Sequence, residues 1–312
     1  MDLSELIKKQ RQIKENSLRA YLISLKKLND NKPLEDLDFL QDEKSVMEKL
    51  EKLALPTQKN YLTAILVGLK AISAPEKLID FYKSVLDDKN EEYNKRIKTN
   101  KKTEKQEENW VEWPKILEVR NNLKKRIMDH EIHQRQKLNN KQRNLLIEYL
   151  VASLYTYLPV IRLDYAPMYI IKSKKEIKPG KNYLLKPGRN KSFFILQEFK
   201  NSKSHPDVKP RPIPPKLNTV INLYLKHHPQ EKGEDGSPPF FLMNSRGGEL
   251  TPNGLGKLIT KTFKETGKKI TLNLLRHIFI THQIPPDLKE KQKKLAESML
   301  HSVAQQEDYL KI

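Results

Sequence analysis

Leu272–Gln283 reads LNLLRHIFITHQ. Leu274, Leu275, Ile278 and Phe279 recur at helical spacing, so the segment is expected to form a helix with a broad apolar face. Arg276 stands inside that face, where an unpaired guanidinium is costly. It needs an anionic partner. The rest of the chain is read outward from that requirement.

The whole chain is cationic. Lys and Arg number 59 against 39 Asp and Glu in 312 residues, a net charge of +20, more positive than solubility requires. A polyanionic partner follows, most often nucleic acid. The plain alternative is a membrane surface or a ribosome, and no basic amphipathic anchor carries Trp and Phe on one face. Cysteine is absent, which excludes disulfides, thiolate catalysis and Cys-ligated zinc together. The start, MDLSELIKKQRQIKE, is charged and helix-forming, and no apolar run approaches the ~18 residues of a membrane span. The expectation is a soluble intracellular protein located with DNA, in nucleus or cytoplasm, and no membrane partner.

The length suits two domains. Upstream, NSLRAYLISLKKL sets Leu18, Tyr21, Leu22, Leu25 and Leu28 on one stripe, with Ser17 as N-cap. TQKNYLTAILVGLKAI repeats the pattern with Thr57 as cap, so residues 1–90 read as an all-helical unit. From Asp87 the periodicity dissolves. Residues 91–109 read as a basic linker, charged and extended, holding Lys95, Arg96, Lys98, Lys101, Lys102 and Lys105 against one acid, Glu104, between Lys95 and Lys105. These six, with Lys203 further on, are the candidate DNA-backbone contacts. The plain alternative for the run is a solvated spacer.

Residues 110–312 form the second domain. Its most apolar helix is KQRNLLIEYLVASLYTYL, ending at Pro159, and NYLLK and KSFFILQEFK read as strands. Pro210, Pro212 and Pro214 confine DVKPRPIP to an edge or to no strand at all. TVINLYLKHH, LGKLITKTFKET and DLKEKQKKLAESMLHS return to helix. The fold class is mainly α with a small antiparallel β-sheet.

Several chemistries drop out. HEIH at 130–133 lacks the HExxH spacing that places two imidazoles on one helical face, and reads as an exposed helix. SRGGELTPNG lacks the Lys-Ser/Thr of a phosphate loop. No metal and no nucleotide cofactor is expected. What remains are residues at element ends: Arg162 after Pro159, Lys200 where a strand meets its turn, Arg276, His301 and Tyr309. Each has a dull explanation as a surface, turn, paired or core-covering side chain. Together they match metal-free phosphodiester cleavage in kind. Two arginines hold the non-bridging oxygens, lysine protonates the leaving oxygen, histidine bonds a further oxygen, and tyrosine attacks.

In wording, LLRHIFITH resembles the second arginine box of the tyrosine recombinases, the phage-integrase family. MLHS resembles the Gly-His-Ser that follows it, and QQEDYLK the segment of the nucleophilic tyrosine. TYLPVIRLDYAPM is similar to the first arginine box, and QEFKNSKSHPDVKPRPIP occupies the place of the lysine-bearing β-hairpin turn. The order Arg, Lys, Arg, His, Tyr is the family's, and the match spans nearly the whole chain. IRLDYA is also similar to integrases of large DNA viruses and related mobile elements.

The resemblance implies a two-domain clamp on double-stranded DNA, a core-binding domain followed by a catalytic one. It also implies a 3′-phosphotyrosine at Tyr309, a scissile phosphate clamped by Arg162 and Arg276, Lys200 as general acid, and His301 on the phosphate. Strand exchange would then proceed as a homo-tetramer on paired sites, without metal or ATP.

Three positions depart from the family pattern. Asn273 stands where the box has histidine, and an amide bonds a phosphate without exchanging a proton near neutral pH. Tyr165 replaces the usual acid, with Asp164 one position earlier and able to orient an arginine. Lys203 rivals Lys200 in the turn. Two other readings therefore stay open: a DNA-binding protein of the same fold that no longer cleaves, and a type IB topoisomerase. Geometry adds an expectation. In one unbroken helix His301 and Tyr309 would lie ~12 Å apart along the axis, so the helix carrying Met299 is expected to end near Ser302.

Overall fold

The computed structural model describes residues 2–98, 101–200, 202, 210–229, 236–244, 248–284, 289–300, 302, 305–306 and 309. They belong to two compact units, Met1–Thr99 and Asn100–Ile312.

The first unit is helical: α1 (Leu3–Gln10), α2 (Glu15–Leu28), α3 (Glu43–Glu51), α4 (Leu55–Ala71) and α5 (Glu76–Lys98). The leucine stripe of α2 packs on α4, burying Leu18, Leu25, Leu28, Leu62, Ile65 and Leu69. The approach is close because residue 68 is glycine. A Cβ there would stand 3.0 Å from Leu37 Cδ1 and 3.2 Å from Leu25 Cδ1. Buried Tyr82 on α5 donates its hydroxyl to the carbonyl of Leu40 at 2.8 Å, which ties the last helix to the loop before α3.

The second unit holds α6 (Glu104–Asn109), α7 (Trp113–Asp129), α8 (Asn140–Tyr157), α9 (Pro215–Lys226), α10 (Pro252–Thr262), α11 (Leu272–Gln283) and α12 (Lys289–Ser298). Helix α8 is central, with Leu145, Leu146, Tyr149, Leu150, Ser153 and Leu154 buried among its neighbours. A four-stranded sheet lies beside the helices in the order β1 (Met168–Ile171), β2 (Asn182–Leu185), β3 (Phe193–Ile195) and β4 (Arg211–Pro212). The mainly helical class with a small sheet holds. One pair in that sheet, β1 with β2, is parallel, and the other two are antiparallel.

Four local expectations are corrected. Ser17 and Thr57 lie inside their helices, whose N-caps are Lys14 and Ala54; α4 starts at Leu55 with a proline in its first turn. The pattern lost at Asp87 conceals helix: residues 91–98 continue α5, and Glu104–Asn109 forms α6 behind a Thr103–Gln106 capping box. An exposed helix of Lys and Glu needs no apolar stripe when charge pairs run along it. Here Lys95 meets Glu91 at 2.6 Å and Lys89 meets Glu92 at 3.5 Å.

HEIH is a turn after α7, with Glu131 at φ 52°, rather than a helix. Finally, β3 stops at Ile195, five residues before Lys200. The amides of Gln197 and Glu198 both turn to Asn182 Oδ1, each at 2.9 Å, and so leave the ladder.

Candidate active site

Three of the expected residues come together although they are far apart in the chain. Arg162 lies on the loop after α8. The buried Tyr155 of α8 fixes that loop by donating its hydroxyl to the Arg162 carbonyl at 2.9 Å. Burial pushes the Tyr155 phenol well above its ordinary value, so it remains a donor. The guanidinium of Arg162 donates from Nη2 to the hydroxyl oxygen of Tyr309 at 3.3 Å. Arg276, on α11, is 2 % exposed, and its Cζ lies 4.4 Å from the centre of the Tyr309 ring. Two cations thus address one phenol, one at its hydroxyl and one at its face.

The charge of an acid, Asp164, acts on this site as well. Burial raises the Asp164 carboxyl to about 6, against the opposing pull of Arg162 and then Arg276. Burial also pulls Arg276 down to about 10, with Tyr309 and Asp164 acting in the opposite direction and Arg162 reinforcing the fall. The guanidinium stays cationic at neutral pH. The aromatic at 165 has a structural reason. Its ring is 2 % exposed, packs edge-on against Tyr155 at 5.5 Å and lies tilted against Phe194 at 5.1 Å. It is a core residue, and Asp164 beside it faces the arginines' field.

The remaining expected residues divide. Asn273 opens α11, and its Nδ2 lies 3.4 Å from His277 Nε2. Lys200 is exposed in a turn, and among the described residues no hydrogen bond joins it to Arg162, Arg276 or Tyr309. His301 and Lys203 lie outside the described residues. Of the basic run, Lys95 pairs with Glu91 on α5, where Arg96 and Lys98 also lie; Lys101 precedes α6, and exposed Lys105 is on it. Lys102 places its ammonium 4.2 Å from the Trp110 ring centre.

Helix α12 ends at Ser298 rather than near Ser302, and Leu300 takes φ 60°. The chain therefore leaves the helix axis well before Tyr309, which sits in a turn. The stop has a partner that sequence reasoning missed. Arg211 of β4 donates to the carbonyls of Ser298 at 2.6 Å and Glu297 at 3.1 Å, a cationic cap on the end of the helix.

A second missed residue is Asn182, 1 % exposed. Its amide donates to the carbonyls of Asp164 at 3.1 Å and Glu198 at 2.8 Å, and its oxygen takes two N–H groups near the end of β3. One side chain thereby joins the arginine loop to the strand that leads to Lys200. The only signal in the sequence was an asparagine at the head of an apolar strand.

Among the described residues no group of three or more His, Cys, Asp or Glu side chains is placed to hold a metal ion, and no helix is long and apolar enough to cross a membrane. No protein-family model and no curated protein matches the sequence. Among solved structures, the chain is similar to a XerA recombinase at 11 % identity, over 99 % of this chain and 91 % of that one, with a TM-score of 0.43.

Proposed function

We propose that this protein cleaves and rejoins DNA, with Tyr309 as nucleophile and Arg162 and Arg276 as the phosphate clamp. The observation that carries the reading is the convergence of both guanidiniums on the Tyr309 side chain. A phosphodiester set beside that hydroxyl falls within reach of two planar donors suited to its non-bridging oxygens.

The Tyr309 oxygen attacks phosphorus, the bond to the 5′ oxygen breaks, and the phenol proton passes to solvent. Lys200 gives the leaving oxygen a proton and His301 bonds a phosphate oxygen. Charge that builds on the phosphate is met by dipoles and cations already in place. The product is a 3′-phosphotyrosine, whose bond energy lets a 5′ hydroxyl from another strand reverse the step. The reaction as written calls on no metal or nucleotide. In this reading the basic residues of α5, α6 and the segment between them contact the DNA backbone, the two units close on the duplex, and four copies act on paired sites.

A pool of nicked duplexes with randomised flanks tests the reading, because such a pool samples the target whatever its sequence. A denaturant-resistant adduct is expected from the wild-type chain and none from Tyr309→Phe. An equal adduct from both would overturn the assignment. Asn273, an amide in the place of a titrating side chain, favours a second reading, a protein that binds DNA without cutting it. Duplex binding with no adduct from any member of the pool is the result that selects it.

A further inference from the structure

Tyr309 is held by its main chain as well as by its ring. His277 follows Arg276 on α11 and is 5 % exposed. Its Nδ1 lies 2.6 Å from the carbonyl oxygen of Tyr309. The two rings stand 4.8 Å apart at 48°. A carbonyl oxygen only accepts, so this contact requires the hydrogen of the imidazole to sit on Nδ1. In the neutral ring Nε2 is then an acceptor, and it faces a donor, Asn273 Nδ2 at 3.4 Å.

Asparagine thus suits the one tautomer in which His277 donates to Tyr309. A carboxylate at 273 would draw a proton to Nε2, since the partner of one ring nitrogen sets the state of the other. Asn273 sits one helical turn before His277, so the same helix that carries Arg276 carries both members of the contact.

We infer that Asn273 and His277 are positioning residues that hold the backbone of Tyr309 in its own subunit, so that its hydroxyl stays at Arg162. This rests on the reading of Tyr309 as nucleophile. It gives Asn273 a role through His277 in place of a bond to the phosphate. It also makes delivery of the tyrosine intramolecular, because the histidine that holds the carbonyl and the arginines that meet the side chain belong to one chain.

Two measurements on the full chain test it. Nitrogen NMR of histidine-labelled protein should show the resonance lost in His277→Asn to be protonated at Nδ1 and bare at Nε2. The reverse tautomer overturns the inference. With the nicked duplex pool at saturating protein, His277→Ala and His277→Gln should slow adduct formation roughly 30-fold, within the loss that misplacing a reacting group by about 1 Å brings. DNA affinity should be unchanged. His277→Asn places an N–H near the position of Nδ1 and should stay within about fivefold of wild type, whereas glutamine mimics Nε2. Equal loss in the Asn and Gln variants, or loss through DNA affinity, also overturns it.

Mixing Arg276→Ala with Tyr309→Phe should restore no adduct, and recovery would show delivery between subunits. Should the wild-type chain form no adduct, the reading of function fails on its own. The tautomer measurement still decides the contact.

Discussion

The two units handle positive charge in opposite ways. In the first, the paired lysines lie at the surface beside acids, as with Lys49 and Asp30 at 2.8 Å or Lys95 and Glu91 at 2.6 Å. The core beneath them is leucine, isoleucine, valine, alanine and one tyrosine. In the second, a guanidinium is 2 % exposed among apolar neighbours, and Arg211 is sunk far enough for burial to lower it. Exposed pairs add little to stability, and sequence can move them freely. A cation taken out of water needs compensation, and Arg276 has the Tyr309 ring against its guanidinium and the charge of Asp164 acting in its favour. On the function proposed above, the contrast teaches that net charge describes the partner, while buried charge locates the chemistry.

The largest effect that would break the contrast is at Arg276. Arg276→Ala should lower the rate of adduct formation by roughly 10²–10³-fold, the usual consequence of removing one preorganised donor. Arg276→Lys should recover little, because an ammonium offers no planar fork. Lys95→Ala should leave the rate unchanged. Single-turnover cleavage of the nicked pool measures all three, and a comparable loss at Lys95 would end the distinction between the units.

How far this was legible in the sequence follows the same line. Helical stripes such as Leu18 to Leu28 are local, and they were readable because one face of a helix shows in the spacing alone. Arg276 was readable for the same reason, as a charge interrupting an apolar face. Helix α5 was not, since its end is held by Lys–Glu pairs and by Lys59 lying 3.8 Å from the Tyr93 ring centre, which leave no periodic trace.

Strand β1 was hidden because MYII is short and pairs in parallel with β2, a pairing fixed only by the fold. The convergence of Arg162 on Tyr309 spans 147 residues, and only the family resemblance hinted at it. Asn182 and Arg211 act through backbone carbonyls, which any sequence supplies, so nothing in the residue types pointed to their partners.

A smaller effect concerns Asp164, the acid that feels the charge of both arginines. Asp164 has its carboxyl raised from 3.8 to about 6, so the folded chain binds a proton more readily than the unfolded one. Stability from this group is therefore present at low pH and declines as pH rises from about 4 to about 6. Activity should move the other way, because the ionised carboxylate supports the positive charge of Arg276. Adduct formation should climb about tenfold for each pH unit below the carboxyl's midpoint of about 6 and level off above it. Asp164→Asn should give a flat profile over the same range. An unchanged climb in the variant would assign the titration to another group.

The smallest effects belong to the basic run, and they sharpen the contrast rather than break it. Each lysine that neutralises a DNA phosphate steepens the fall of log K with log salt by about 0.9. Lys105 is exposed on α6, whereas the Lys95 ammonium already faces Glu91 at 2.6 Å. Lys105→Ala should therefore reduce the slope by close to one unit of ~0.9, and Lys95→Ala by clearly less. Lys102 should fall between them, since its ammonium rests on Trp110 and must leave the ring to meet a phosphate. Titrations of non-specific duplex at four or so salt concentrations resolve differences of this size. Equal slopes for the three variants would mean that the run acts as an undifferentiated cloud of charge, and that the pairing seen on α5 is lost when DNA arrives.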